Sequence, residues 1–201
     1  MTSGLRRPAA NQLPWNWGAT TDERSEDFPC AEQLDEPVRT LYRAVSVAGS
    51  AQLTYAWLCQ IKVAPYSYDL LDNLGRRSPP ELTAGLTVAE GDRMMVFRCV
   101  QLGPGLEWTG VGLAGPGRIF GPMAVTYRAK PLPGGGSRLI CRLDVAIGSG
   151  PAERVRSWAL AWGDLVMMRK QLLTLKTYAE RDALRAVDPA CDDRAARSRR
   201  W

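Results

Sequence analysis

The densest gathering of polar and aromatic side chains in this sequence is Tyr66, Tyr68, Asp69 and Asn73, within residues 65–80. A tyrosine hydroxyl turned into an apolar cavity would fix a ligand carbonyl. A desolvated Asp69 beside it would serve proton transfer. The same residues have a plainer reading, in which Asp69 caps a short helix and the tyrosines pack between helix and sheet. Trp57 and Gln60 lie about one helical turn apart on one face. Gln60 would hydrogen-bond a ligand or close off a backbone group, and Trp57 would be a ligand platform or core. Further along, Trp162, Leu165, Met168, Arg169 and Leu172 follow an apolar stripe, and some of them must line any cavity that their helix covers. Arg169, beside that stripe, either neutralises an acidic ligand or snorkels to solvent. Trp108 and Tyr127, like Arg98 and Arg142, fall in strand-like runs, where register decides which face each occupies.

Other chemistries are poorly provided for. The chain has no histidine, the commonest general base and metal ligand. Its five cysteines (Cys30, Cys59, Cys99, Cys141 and Cys191) form no CxxC pair. Their wide spacing suits neither a zinc site nor a dense disulfide framework, and Cys59, Cys99 and Cys141 sit in apolar runs as reduced core residues. No metal site and no cofactor is indicated. The GPGRIFGP segment at 115–122 lacks the spacing of a phosphate-binding loop and reads as a turn. The net charge of +5 is spread along the chain, with much of the excess in the arginines near its end. That distribution argues against a nucleic-acid partner. No run approaches the roughly 20 apolar residues that span a membrane, and no apolar segment follows Arg6 and Arg7 as in a secretory signal. A cytoplasmic protein is the expectation.

The elements that must position these residues follow from periodicity. Residues 1–38 read as an irregular arm anchored by Trp15 and Trp17, with a mobile start. Residues 39–47 alternate as a strand. Ser50 caps a helix over 51–61, and Ser67 or Asp69 caps a second short helix that Gly75 ends. Strands are expected at 94–100, 106–113, 123–130 and 137–147. Met123, Val125 and Tyr127 share one face, as do Leu139, Cys141, Leu143 and Val145. Pro151 opens a long helix reaching about Leu184, with Trp158, Trp162, Leu165, Met168, Leu172 and Leu175 on its apolar stripe. Residues 186–201 read as a charged, disordered tail. Consecutive strands on short turns form an antiparallel sheet. Laying the long helix across its concave face leaves a pocket between them, so the expected domain is α+β and spans residues 39–185.

Several segments also resemble a known family. Tyr66-Ser67-Tyr68-Asp69-Leu70-Leu71-Asp72-Asn73-Leu74 is similar to the Y-S-Y-D-x-L-E-N-L block of bacterial START-like (SRPBCC, polyketide cyclase/dehydrase-type) proteins. Trp57-Leu58-Cys59-Gln60 is similar to their W-L-x-Q segment, and Trp17-Gly18-Ala19-Thr20 to their W-G-A-T. Gly91-Asp92 and the strand from Ser137 to Arg142 match in the same order. The likeness covers about residues 15–180. It departs in the short loop before Tyr66 and in Asp72, where glutamate is common. The resemblance implies a helix-grip fold, a curved antiparallel sheet around a long C-terminal helix with two short helices. It also implies a small hydrophobic or amphipathic ligand (a lipid, polyketide or isoprenoid) in the internal cavity. Two alternatives stay open: a cyclase or dehydratase using Asp69 with a tyrosine or arginine, and a regulatory protein using the groove for a partner. Fold alone does not choose among them.

Overall fold

Alternation between apolar and polar side chains, together with tight turns, builds most of this molecule. A computed structural model describes residues 12–35, 37–67, 77–103, 106–114 and 121–187. The short helix expected beyond Ser67 and the charged tail lie outside these residues, as do Tyr68, Asp69 and Asn73.

Within them, β1 is Asn16–Trp17, β2 Val38–Val47, β3 Arg93–Met94, β4 Phe97–Leu102, β5 Leu106–Gly112, β6 Met123–Pro131 and β7 Ser137–Ala146. They form a sheet of order β1-β2-β7-β6-β5-β4-β3. Every pairing is antiparallel except β1 with β2. Helix α1 is Thr21–Arg24, α2 is Ala51–Cys59 and α3 is Pro151–Val187. At 37 residues α3 is about 55 Å long. Ser50 caps α2, its hydroxyl accepting from Leu53 N at 3.2 Å. A 3₁₀ turn over Gln60–Lys62 then leads the chain off the helix.

The sheet presents one row after another to the helix. Leu41, Leu143 and Val125 stand side by side in the ladder, as do Arg43, Cys141, Tyr127 and Trp108 in the next inward row. These side chains, with Leu172, Leu175 and Ala179 from α3 and Trp57, Leu58 and Ile61 from the α2 region, make the main core.

The outer face of the sheet is covered by the chain's own arm. Ala19, Phe28 and Cys30 bury against Ala44, Ala124 and Ile140. Glu23 pairs with Arg138 at 2.7 Å, and Glu26 reaches both Arg128 and Lys130. The Trp17-Gly18-Ala19-Thr20 segment has a clear physical role there. Trp17 ends β1, Gly18 takes φ +83°, Ala19 is fully buried, and Thr20 with Glu23 forms a capping box on α1. A Cβ on Gly18 would lie 2.2 Å from the Ala44 carbonyl oxygen.

Two expectations need correcting. Residues 94–100 do not form one strand. The chain turns at Met95 and Val96, pairing Met94 with Phe97, and Met95 adopts φ +56°. This turn contains none of the Gly, Pro, Asn or Asp residues that usually mark one. The apolar stripe of α3 is also rotated in its first half. Trp158 and Trp162 are 54% and 37% exposed, whereas Ala161 and Leu165 are buried. Ala161 packs there beside the Arg43–Asp164 pair, its carbonyl accepting from Arg43 Nη2 at 3.5 Å.

Candidate functional site

The N-terminal half of α3 and the sheet face each other across unfilled space. A cavity of about 680 Å³ remains between them. The sheet supplies Leu41, Met123, Tyr127, Leu143 and Val145; α3 supplies Leu160, Ala161, Asp164, Met167, Met168 and Gln171. The segment after α2 (Ile61, Ala64 and Pro65) and the turn at Met95 and Val96 close one side. Exposed lining residues mark the mouth: Arg39, Lys62, Val63, Arg93, Ile147, Ala159 and Gly163. A mostly apolar wall with a few convergent polar groups is the usual form of a small-molecule site.

Besides Ser67, two buried hydrogen-bonded pairs border this interior. Arg43, 1% exposed, donates from Nη2 to Asp164 Oδ2 at 2.7 Å, and its other end donates to the Tyr42 carbonyl at 2.8 Å. Asp164 opens toward the cavity with 19% of its side chain exposed. Burial raises its carboxyl above the ordinary carboxylate range, against the opposing pull of Arg43. The second group centres on Gln171, itself buried. Tyr127 donates its hydroxyl to Gln171 Oε1 at 2.7 Å, and Gln171 Nε2 donates to the Pro65 carbonyl at 2.5 Å. Gln171 therefore ties the sheet, the helix and the closing segment together at one point. Burial holds the Tyr127 hydroxyl and the neighbouring Cys141 thiol well above their ordinary values, so both stay protonated. Among the described residues, no cluster of three or more Cys, Asp or Glu side chains could hold a metal ion.

Of the residues singled out from sequence, Tyr127 and Met168 line this cavity. Trp57 is fully buried outside the cavity wall, donating Nε1 to Asp182 at 3.0 Å and packing edge-on to Tyr66 with ring centres 5.9 Å apart. Gln60 donates to the Glu81 carbonyl at 2.9 Å, which is the backbone-closing alternative. Tyr66 packs between Trp57 and Tyr178 in the core, at φ +55°. Trp108 stacks on the far side of Tyr127 at 4.6 Å. Leu165 and Leu172 are buried in contacts outside the cavity wall, and Trp162 pairs with Trp158 on the helix's outer face. Arg169 lies over the Trp17 ring at 5.6 Å. Asp164, Gln171 and Arg43 were not singled out. Asp164 and Gln171 stand seven residues apart, each one position before a buried leucine of α3, and two polar residues at that spacing were the available signal.

No protein-family model and no curated protein matches the chain. Among solved structures it is similar to an aromatase/cyclase from Streptomyces sp. R1128, at 18% identity over 77% of this chain and 98% of that one, TM-score 0.44. It is also similar to a di-domain aromatase/cyclase of the steffimycin biosynthetic pathway, at 16% identity over 82% of this chain and 57% of that one, TM-score 0.48. A third is norcoclaurine synthase from Thalictrum flavum, at 13% identity over 72% and 92%, TM-score 0.39. By its own sheet order and the long helix laid across the sheet, the chain has a helix-grip fold.

Proposed function

We propose that this protein binds a small amphipathic molecule in the cavity between sheet and α3, its apolar body inside and a polar group toward Asp164 and Gln171. The observation that carries this reading is the wall itself. The cavity is about 680 Å³ in volume and largely apolar, with Ser67, the Arg43–Asp164 pair and the Tyr127–Gln171 pair among its buried polar points. A ligand with a hydroxyl or carbonyl at one end satisfies both kinds of surface, whereas a wholly apolar one leaves the carboxylate unsolvated. The ligand belongs to the lipid, polyketide or isoprenoid class.

A second reading, acid–base chemistry of the cyclase or dehydratase type, is favoured by one observation. Asp164 combines a raised pKa with access to the cavity, which suits a proton carrier. Asp69, the carboxylate that the sequence offers for this role, lies outside the described residues.

The test is denaturing extraction of freshly purified protein followed by mass spectrometry of the released molecules. A stoichiometric amphipathic compound is expected. If that compound is recovered chemically altered after incubation with wild type but unaltered with Asp164→Asn, the second reading holds. If nothing is released and no member of a lipid, polyketide and isoprenoid panel raises the melting temperature, ligand binding is rejected.

A further inference from the structure

The outer face of α3 carries an apolar stripe for which the fold has no use. Val155, Trp158, Trp162 and Val166 recur at helical spacing and are 69%, 54%, 37% and 51% exposed. The two indoles touch edge to face at 5.9 Å. Cations flank the stripe: Arg154 before it, Arg169 and Lys170 after it, all exposed and none ion-paired among the described residues. The nearest acids on this part of the helix point elsewhere, Glu153 to Arg156 and Asp164 to Arg43. The same helix segment borders the cavity mouth, where Ala159 and Gly163 are both exposed and lining.

We propose that this face seats on an anionic lipid surface, bringing the cavity mouth to the membrane. Tryptophan favours the boundary between water and acyl chains, and an amphipathic helix with apolar side chains amid cations lies in that plane. Charge complementarity selects the occupant. The face holds cations and no acid of its own, so pairing it with the same face of a second copy would set Arg154 against Arg169 and Lys170, like charge on like. An anionic headgroup layer answers all three.

The experiment is co-sedimentation of the full chain with vesicles of phosphatidylcholine alone, or of three parts phosphatidylcholine to one of phosphatidylglycerol. The anionic vesicles are expected to retain the protein, less so as salt rises. The double substitution Trp158→Ala with Trp162→Ala is expected to lower the partition coefficient by about tenfold or more. Arg154→Gln with Lys170→Gln is expected to lower it by about tenfold on anionic vesicles and to leave weak binding to neutral ones unchanged. All four residues are exposed, so the fold survives, and extracted ligand content provides an independent readout of the cavity. Absence of binding to anionic vesicles at low salt would overturn the proposal. So would retention undiminished by the tryptophan substitutions, or concentration-dependent self-association that those substitutions abolish, which would give the face to a second copy.

Discussion

Asp164 shows how a single side chain can be placed for chemistry at some expense to the fold. Its carboxyl touches a buried guanidinium at 2.7 Å, yet burial still leaves its pKa raised. A carboxyl raised on folding adds stability that is fully present below the unfolded pKa and is lost as pH rises through the folded one. Replacing it with asparagine removes that dependence. The stability of Asp164→Asn relative to wild type should therefore increase from pH 4 to pH 8, as read from urea midpoints. The reverse slope would mean that Arg43 governs the carboxyl and that the pair is a structural ion pair. At this scale the sequence was only partly legible. Tyr127 shares the inward face of Met123 and Val125 by the two-residue period of β6, whereas Trp57 on α2 and Gln60 just after it are buried in contacts with Asp182 and Glu81 that lie far away in sequence. Arg43 sits in the alternating strand β2 but reads like a solvated arginine until α3 supplies its partner 121 residues away.

Elements were more legible than their phases. The strands β2, β5, β6 and β7 and the start of α3 follow from alternation, turn residues and a proline at the first helical position. The rotation of α3 did not, because tryptophan reads as core while a small alanine beside a buried charge does not. The turn at Met95 was hidden for lack of any turn residue. The arm is where local sequence and tertiary contact agree best. Gly18 combines φ +83° with a backbone approach that excludes a Cβ, so Gly18→Ala should cost about 2 kcal/mol or more in denaturant unfolding and expose the amides of α1 to hydrogen exchange. An unchanged midpoint would show that the arm contributes nothing to the fold. Glu23 supplies the pH dependence of the same element. Burial works to raise its carboxyl, but hydrogen bonds from Arg138 and the Thr20 backbone bring it below the ordinary value. Its contribution is present above the unfolded pKa and is lost as pH falls through the folded one. Exchange protection of α1 should therefore fall in mild acid before the sheet opens, and Arg138→Gln should remove that acid sensitivity. Protection that is flat across the acid range would contradict the clamp.

At the scale of the whole molecule, the fold separates two jobs. The arm and the C-terminal half of α3 bury the sheet on its two faces, and Leu172, Leu175 and Ala179 are fully excluded from solvent. The N-terminal half of α3 lines the cavity on its inner side and carries the tryptophan face on its outer side. Ala161 and Asp164 face inward on this half of the helix while Trp158 and Trp162 face out. The central claim is that the cavity holds a ligand. The most direct measurement compares the small molecules extracted from wild type and from Met167→Trp, whose indole would occupy the cavity from the α3 side. Wild type should release one equivalent of an amphipathic compound. The variant, folded and melting within a few degrees of wild type, should release little of it. Equal release from both, or none from wild type together with no stabilisation by the ligand panel, would contradict the account.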